Sequence, residues 1–473
     1  MGFTERLARA CAAKPRRTLA FWGIGVLVAL VLVATSLHGL TSNSNVIGSP
    51  DSTKAADAIA RAFPNAPAAE KHDVIVVSST RYAARSPQFR RFLEQQAAKL
   101  TATGKVSGLR VAAVSPDGHA VLVSVSIDSD SDAKQVESVV QKANGSGFSA
   151  GITGYRSANY DFGRQSQKDL ESGELSFGLP AALIVLVLVF GAVIAGLVPV
   201  MMAILSIIVA LGLVALLSLA FSLSVFIVNM LTGMGLALGI DYSLFVVSRF
   251  REERTLGLEK LDAIAHAGAT ASRAVLFSGS TFVVALVGMF IVPTSIMRSL
   301  ALGAILVGIV SVVAALTLLP ALLSLLGDRV NALRVPYLGR NLGKADALEG
   351  RFWRRIVETV LRRPAVFLLV TVAAILAAAS PIFGLHIGAN GVNTLPNSLP
   401  SKQGYVLLQH DFPGNTPEPV NIVALGASPT VRADLLALQG VLANDPRFGP
   451  GKVQTSQAQD VSLLSVPVRG DSA

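Results

Sequence analysis

Long apolar runs alternate along the chain with polar stretches, two of which are large. About 20 consecutive apolar residues suffice to span a bilayer. Seven candidate spans are read: Leu19–Leu37, Phe177–Leu197, Val200–Phe221, Val225–Val247, Ala274–Ile291, Leu300–Leu326 and Ala365–Leu385. The first is too long for the apolar core of a signal peptide and is followed by no small-residue cleavage site, so it reads as a retained anchor.

Between the first two runs the periodicity changes. His72–Ser79 (HDVIVVSS) is a short run of strand type. Ser86–Leu100 begins with a Ser cap and a Pro in the first turn, then shows helical spacing. Leu109–Ser115 and His119–Asp128 flank Pro-Asp-Gly, a turn signal, and predict a hairpin. Ser131–Ala143 predicts a second helix, and Gly151–Tyr155 (GITGY) a last strand. The order βαββαβ is the ferredoxin-like split motif, which by itself implies no function.

The chain also repeats itself. Pro15 and Pro364 are 349 residues apart, as are Gly39 and Gly388, Ser52 and Ser401, Phe63 and Phe412, and Pro64 and Pro413. Val74–Val77 meets Val423–Gly426 at the same offset. The matched Phe-Pro lies beyond the apolar run, which a chance likeness between two membrane helices does not explain. Parallel duplications of this kind are common among transporters. The second copy stops soon after Val461–Val468 (VSLLSVPV), which resembles His119–Ser126; a full second copy would bring the length to roughly 700 residues, twice the offset.

Composition agrees with the pattern. The chain is 52% hydrophobic and 15% charged, with a mean hydropathy of +0.57, as polytopic membrane proteins are. The net charge of +10 is concentrated beside the apolar runs: Lys14–Arg17 (KPRR), Arg249–Arg254 (RFREER) and Leu361–Arg363 (LRR). These fall on one side of a seven-span topology and are therefore placed in the cytoplasm, with the N-terminus inside and the large polar segments outside. The single cysteine, Cys11, carries no information on redox compartment.

The expected organisation follows. Residues 1–38 are the cytoplasmic N-terminus and first transmembrane helix, 39–173 an extracytoplasmic α+β domain, and 174–327 a five-helix bundle. Residues 328–363 are a basic cytoplasmic loop, 364–386 the seventh transmembrane helix, and 387–473 the start of a second outer domain. The basic loop Asp328–Arg363 suits anionic lipid headgroups better than nucleic acid, which is not expected as a partner. Arg251–Ser272 is charged, then amphipathic, and reads as a helix on the membrane surface, with His266 solvated.

The chemistry concentrates in Gly233–Glu253 (GMGLALGIDYSLFVVSRFREE), where Asp241 and Tyr242 interrupt an apolar helix. An acid at mid-membrane costs several kcal/mol, and such residues usually face a bundle interior and carry function. Its alternative is a structural Asp bonded to a neighbouring helix. Tyr242 has the alternative of an interfacial anchor. Consecutive helix residues point about 100° apart, so each is expected to meet a partner on another helix rather than its neighbour. Gly235 and Gly239 form a GxxxG pair whose close packing would let another helix bring its groups to Asp241. Asn229 either lines the same path or makes a structural hydrogen bond. Ser278, Ser280 and Thr281 either hydrate the relay or bond back to their own helix.

The Gly-rich stretch follows no strand, so it is not a dinucleotide fingerprint. No metal-ligand spacing, phosphate loop or nucleophile elbow is found, so the chain is read as not an enzyme, with no metal and no cofactor. Arg469–Asp471 and Asn144–Ser146 are short enough to be coincidences.

With these parts in place the chain resembles the MMPL branch of the resistance–nodulation–division (RND) superfamily, proton-driven exporters of lipids and other hydrophobic compounds in mycobacteria and related bacteria. The resemblance rests on the outer domain after the first span, the five-helix cluster, GIDYSLF (Gly239–Phe245) and the repeat. It implies that the outer domains are porter domains and the duplication is RND-type. It also implies that Asp241 and Tyr242 belong to a proton relay, paired with an equivalent Asp-Tyr in a tenth span. The expected energy source is the proton gradient across the inner (cytoplasmic) membrane, and the expected partners are membrane lipids and a lipid or hydrophobic small-molecule substrate. A second subunit or the remaining C-terminal half would supply the opposite side of the relay. Other classes in view are a sterol-sensing-like lipid receptor or scaffold, a protein-translocation subunit of the SecDF kind, and an inactive truncated transporter.

Overall fold

The computed structural model describes residues 2–36, 40, 47–48, 50–63, 72–334, 345–384, 392–412, 420–456, 458 and 460–468. The chain opens with α1 (Phe3–Ala13), α2 (Pro15–Ser36) and α3 (Asp51–Ala62). A strand-rich stretch follows: β1 (His72–Ser79), α4 (Pro87–Ala102), β2 (Val106–Val114), β3 (Ala120–Ile127), α5 (Asp130–Gln141) and β4 (Phe148–Gly154). Next come α6 (Tyr155–Asp169), a π-helical segment (Leu170–Gly178) and α7 (Leu179–Phe190). Then α8 (Val193–Ser218), α9 (Ile227–Thr255), α10 (Lys260–Ala269), α11 (Ala271–Val287) and α12 (Ser295–Leu326) form a run of helices. The remainder is α13 (Ala345–Arg362), α14 (Pro364–Ala379), α15 (Pro400–Asp411), β5 (Val420–Leu425), α16 (Pro429–Ala443), β6 (Lys452–Ser456) and β7 (Val461–Val466).

Two compact units result. The first comprises Met1–Ile47 and Ser166–Leu385, the second Gly48–Gln165 and His386–Ala473. Among the described residues, seven helical stretches are long and apolar enough to cross a membrane. With the small antiparallel sheets of the second unit, they make this a polytopic, mostly helical membrane protein.

In the first unit α9 lies between α8 and α12. Its inner face buries Ile227, Leu231, Val246, Val247 and Phe250. Trp22 Nε1 donates to Thr317 Oγ1 at 3.1 Å, tying α2 to α12. The basic segment after Val247 continues α9 for two more turns and is pinned there. Arg251 Nη2 donates to the Phe190 carbonyl at 3.0 Å, Arg251 Nε donates to Asn331 Oδ1 at 2.7 Å, and Arg254 grips Asp328 at 2.7–3.0 Å. Each bond satisfies a group that the helix ends and loops would otherwise leave open.

Several boundaries differ from the sequence reading. The break between the second and third spans is at Gly191, not between Leu197 and Val200. Gly191 takes φ +62°, a left-handed helix end that glycine adopts at little cost, while Pro199 lies inside α8. Arg251–Ser272 is not one surface helix. It is the end of α9, then α10, then the start of α11. α10 buries Ala263, Ile264, Ala265 and Ala267, and a Cβ on its Gly268 would stand 2.7 Å from Ala8 Cβ of α1. Small residues on both helices permit that approach. His266 is exposed. The basic loop Asp328–Arg363 contains α13; its residues 335–344 lie outside the described residues.

The second unit holds β1–β4 as one antiparallel sheet in the order β2-β3-β1-β4. The core residues Ile75, Val77, Phe89, Val125, Val136 and Ile152 lie between this sheet and its helices. Ser86 Oγ accepts from Phe89 N at 3.3 Å and caps α4, as the Ser-Pro start predicts. A second antiparallel sheet runs β5-β7-β6.

The 349-residue repeat is visible in the elements. α3 and α15 share it at both ends. Phe63 and Phe412 close them with the same backbone angles, φ −131° and ψ 62°, and donate back to the carbonyls of Ile59 and Leu408. Pro15 and Pro364 begin α2 and α14, and Val74 and Val423 lie in β1 and β5. Gly39, Gly388, Pro64 and Pro413 lie outside the described residues. The two copies exchange helices: α15 packs against β4 and β1, and α3 against β5 and β7. The approach of α15 is tight. A Cβ on Gly404 would meet the Ile152 backbone, and one on Gly151 would stand 2.6 Å from Gly404 Cα.

Candidate functional site

Asp241 is on the exposed face of α9, on one i±4 row with Ala237 and Phe245, which are also exposed. This corrects the expectation that it faces the interior of this bundle. The inner face of α9 is taken by Gly235, Gly239, Tyr242 and Val246, and helical geometry turns Asp241 away from them. Tyr242, about 100° further round the helix, turns into the bundle and is only 6% exposed. Its hydroxyl is hydrogen-bonded with Ser278 of α11.

The glycines serve that inner packing. A Cβ on Gly239 would lie 2.5 Å from Ala203 Cα, and one on Gly235 would strike Ile207 and lie 2.9 Å from Val307 Cγ2. The GxxxG pair therefore seats α8 and α12, and it does not bring another helix to Asp241. Gly279 is the position that sequence reasoning passed over. A Cβ there would collide with Val312 and stand 3.4 Å from Tyr242 Oη. In the Ser-Gly-Ser-Thr stretch the hydroxyls drew notice, but the glycine makes room for the phenol.

The other candidates divide. Ser280 Oγ donates to the Leu276 carbonyl at 2.7 Å, and Thr281 Oγ1 to the Phe277 carbonyl at 2.9 Å, so both bond to their own helix. Asn229 Nδ2 donates to Ser166 Oγ at 2.5 Å, joining α9 to α6. On α9, Asn229, Gly233, Ala237 and Asp241 recur at every fourth position. Gly233 faces another carboxylate: Glu174 Oε1 would lie 3.0 Å from a Cβ placed there. Among the described residues no cluster of His, Cys, Asp and Glu suits a metal ion.

Three further carboxylates, unremarked in the sequence, are buried in the second unit: Asp73, Glu137 and Asp161. Asp73 accepts from the backbone N–H groups of Arg156 and Ser157 at 2.9 and 2.8 Å, at the start of α6. Burial pushes its carboxyl up, and these bonds oppose the shift. Asp161 Oδ2 accepts from Ser401 N at 2.9 Å and from Ser401 Oγ at 2.7 Å, clamping the first turn of α15. Its other oxygen faces Arg164 at 3.2 Å. Glu137, 3% exposed, is pushed to about 8, by burial first and then by the charge of Asp161. The same unit contains an apolar cavity of about 200 Å³ between α4 and the sheet, lined by Ile75, Val77, Leu93, Leu100, Val111 and Val123.

A polytopic helical bundle with an acid set mid-helix beside a buried tyrosine defines a multi-span membrane protein with an ionisable group in a spanning segment. The chain belongs to the MMPL family, whose model matches residues 46–367. It is 29% identical over 442 residues to a putative membrane protein of Streptomyces coelicolor, a match covering 90% of this chain and 60% of the relative. It is 35% identical over 263 residues to the mycolic acid-containing lipids exporter MmpL11 of Mycolicibacterium smegmatis (53% of this chain, 27% of the relative). It is 31% identical over 267 residues to the trehalose monomycolate exporter MmpL3 of Mycobacterium tuberculosis (52% of this chain, 28% of the relative). The chain thus spans less than two thirds of the length of these relatives.

Proposed function

We propose that the chain works in proton-motive-force-driven export of lipids or other hydrophobic compounds across the cytoplasmic membrane. It is a transporter rather than an enzyme, and the proton gradient takes the place of a cofactor. The observation that carries the reading is Asp241: a carboxylate in an otherwise apolar stretch of α9, on the face left open, backed by Tyr242 and Ser278. An intramembrane acid is costly unless it works. Protonation neutralises it and removes the penalty for packing that face against an apolar neighbour. That change in packing is the step that moves the second unit, whose two sheets act as extracytoplasmic porter domains of an RND-type duplication. The partner for the face of Asp241 is an equivalent Asp-Tyr helix in the remaining half or in a second subunit. The N-terminus is cytoplasmic.

The relatives named as lipid exporters support lipid as the cargo class, and the apolar cavity beside α4 is consistent with it. The test uses everted membrane vesicles loaded with a fluorescent long-chain lipid. Movement that needs an acid-inside proton gradient and stops on adding a protonophore is expected. Binding without gradient-dependent movement would instead indicate a lipid receptor. A protein-secretion defect without any lipid movement would indicate a translocation subunit.

A further inference from the structure

We propose that Glu174 is the carboxylate through which protons reach Asp241. The inference rests on the proton-relay reading of Asp241. Glu174 lies in the π-helical segment Leu170–Gly178, and π-helical insertions in α-helices are frequent at functional sites because they re-aim side chains. Its carboxylate is brought against α9 at Gly233, where Oε1 fills the space a side chain would take. Its Oε2 is buried without a hydrogen-bond partner. A carboxyl with one oxygen buried and unsatisfied is costly unless it binds a proton or exchanges one with water.

The position of Gly233 gives the acid a direction. Gly233, Ala237 and Asp241 share one i±4 row of α9. Gly233 and Asp241 are eight residues apart, about 12 Å along the helix axis. That is too far for a direct proton transfer. Between them stands only Ala237, which is exposed. A glycine and an alanine leave a shallow groove on the helix where a short file of waters bridges the two carboxylates. Asn229, one turn further, is held by Ser166 of α6 and fixes the helix that carries Glu174 against α9. The step is simple in balance. Protonated Glu174 gives its proton through water to the Asp241 carboxylate, becomes a carboxylate itself, and is reprotonated from the extracytoplasmic side.

The protein at its natural length, in membranes, is treated with dicyclohexylcarbodiimide, which couples to protonated carboxyls in apolar surroundings, and the labelled residues are located by mass spectrometry. Labelling of both Glu174 and Asp241 is expected, with Glu174 still labelled in Asp241→Asn. In proteoliposomes carrying a pH-sensitive dye, Glu174→Gln is expected to slow gradient-driven proton flux at least tenfold, and Glu174→Asp to restore most of it. A purely structural Glu174 would not show that rescue. Labelling of Asp241 without Glu174, or unchanged flux in Glu174→Gln, overturns this inference alone. Asp241 unlabelled and dispensable overturns both it and the relay. If Glu174→Gln fails to accumulate, the labelling of the unaltered protein decides.

Discussion

Glu137 offers the most quantitative test of the second unit. Burial first of all holds its carboxyl at about 8 instead of 4.5, with the charge of Asp161 adding to the shift, Arg164 opposing it and Asp73 adding a little more. The folded state therefore binds this proton more tightly than the unfolded one. The stability it contributes is fully present below about pH 4.5 and is lost as pH rises through about 8. Between pH 6 and pH 8 the linkage relation gives a loss of about 2 kcal/mol from this one group. Glu137→Gln copies the protonated shape without the titration. Amide hydrogen exchange of β1 and β4 reports the opening free energy of the sheet. Unaltered protein is expected to lose about 2 kcal/mol more than Glu137→Gln over that interval. Equal losses in the two proteins would refute the reasoning, since the buried acid would then carry no unusual proton.

Three other substitutions probe the packing. Gly404→Ala places a methyl against the Ile152 backbone, which cannot yield; α15 must lift, and a destabilisation of about 1–3 kcal/mol is expected in the same exchange experiment. Ser401→Ala removes a buried 2.7 Å hydrogen bond to the Asp161 carboxylate and is expected to cost about 1.5–3 kcal/mol by the same measure. Tyr242→Phe keeps the ring and loses the Ser278 partner; about 1 kcal/mol of stability is expected to go, while vesicle export falls at least tenfold. An export rate that follows stability alone would make Tyr242 a packing residue.

Much of the fold could be read from sequence because it rests on local signals. Membrane spans declare themselves by length and hydropathy, and the Pro-Asp-Gly turn placed the β2–β3 hairpin. The matched Phe63 and Phe412 showed the repeat, but not that they close two helices, α3 and α15, with identical backbone angles. α6 was missed because its sequence, YRSANYDFGRQSQKD, has no apolar stripe to announce it. It is held instead by Asp73 at its start and by Ser401 meeting Asp161 along it, contacts between residues far apart in the chain. The facing of Asp241 was not legible either. In a membrane helix the outward and inward faces are both apolar, so periodicity cannot tell which one carries the acid. GxxxG likewise announced a close approach without naming α8 as the helix that makes it.

The central claim is that Asp241 carries the proton that drives export. The most direct measurement compares Asp241→Asn with the unaltered protein, both at natural length and at equal abundance in the membrane, for export of the fluorescent lipid under an imposed proton gradient. The account predicts that export is abolished while insertion and abundance are unchanged. Export at the unaltered rate in Asp241→Asn would contradict it.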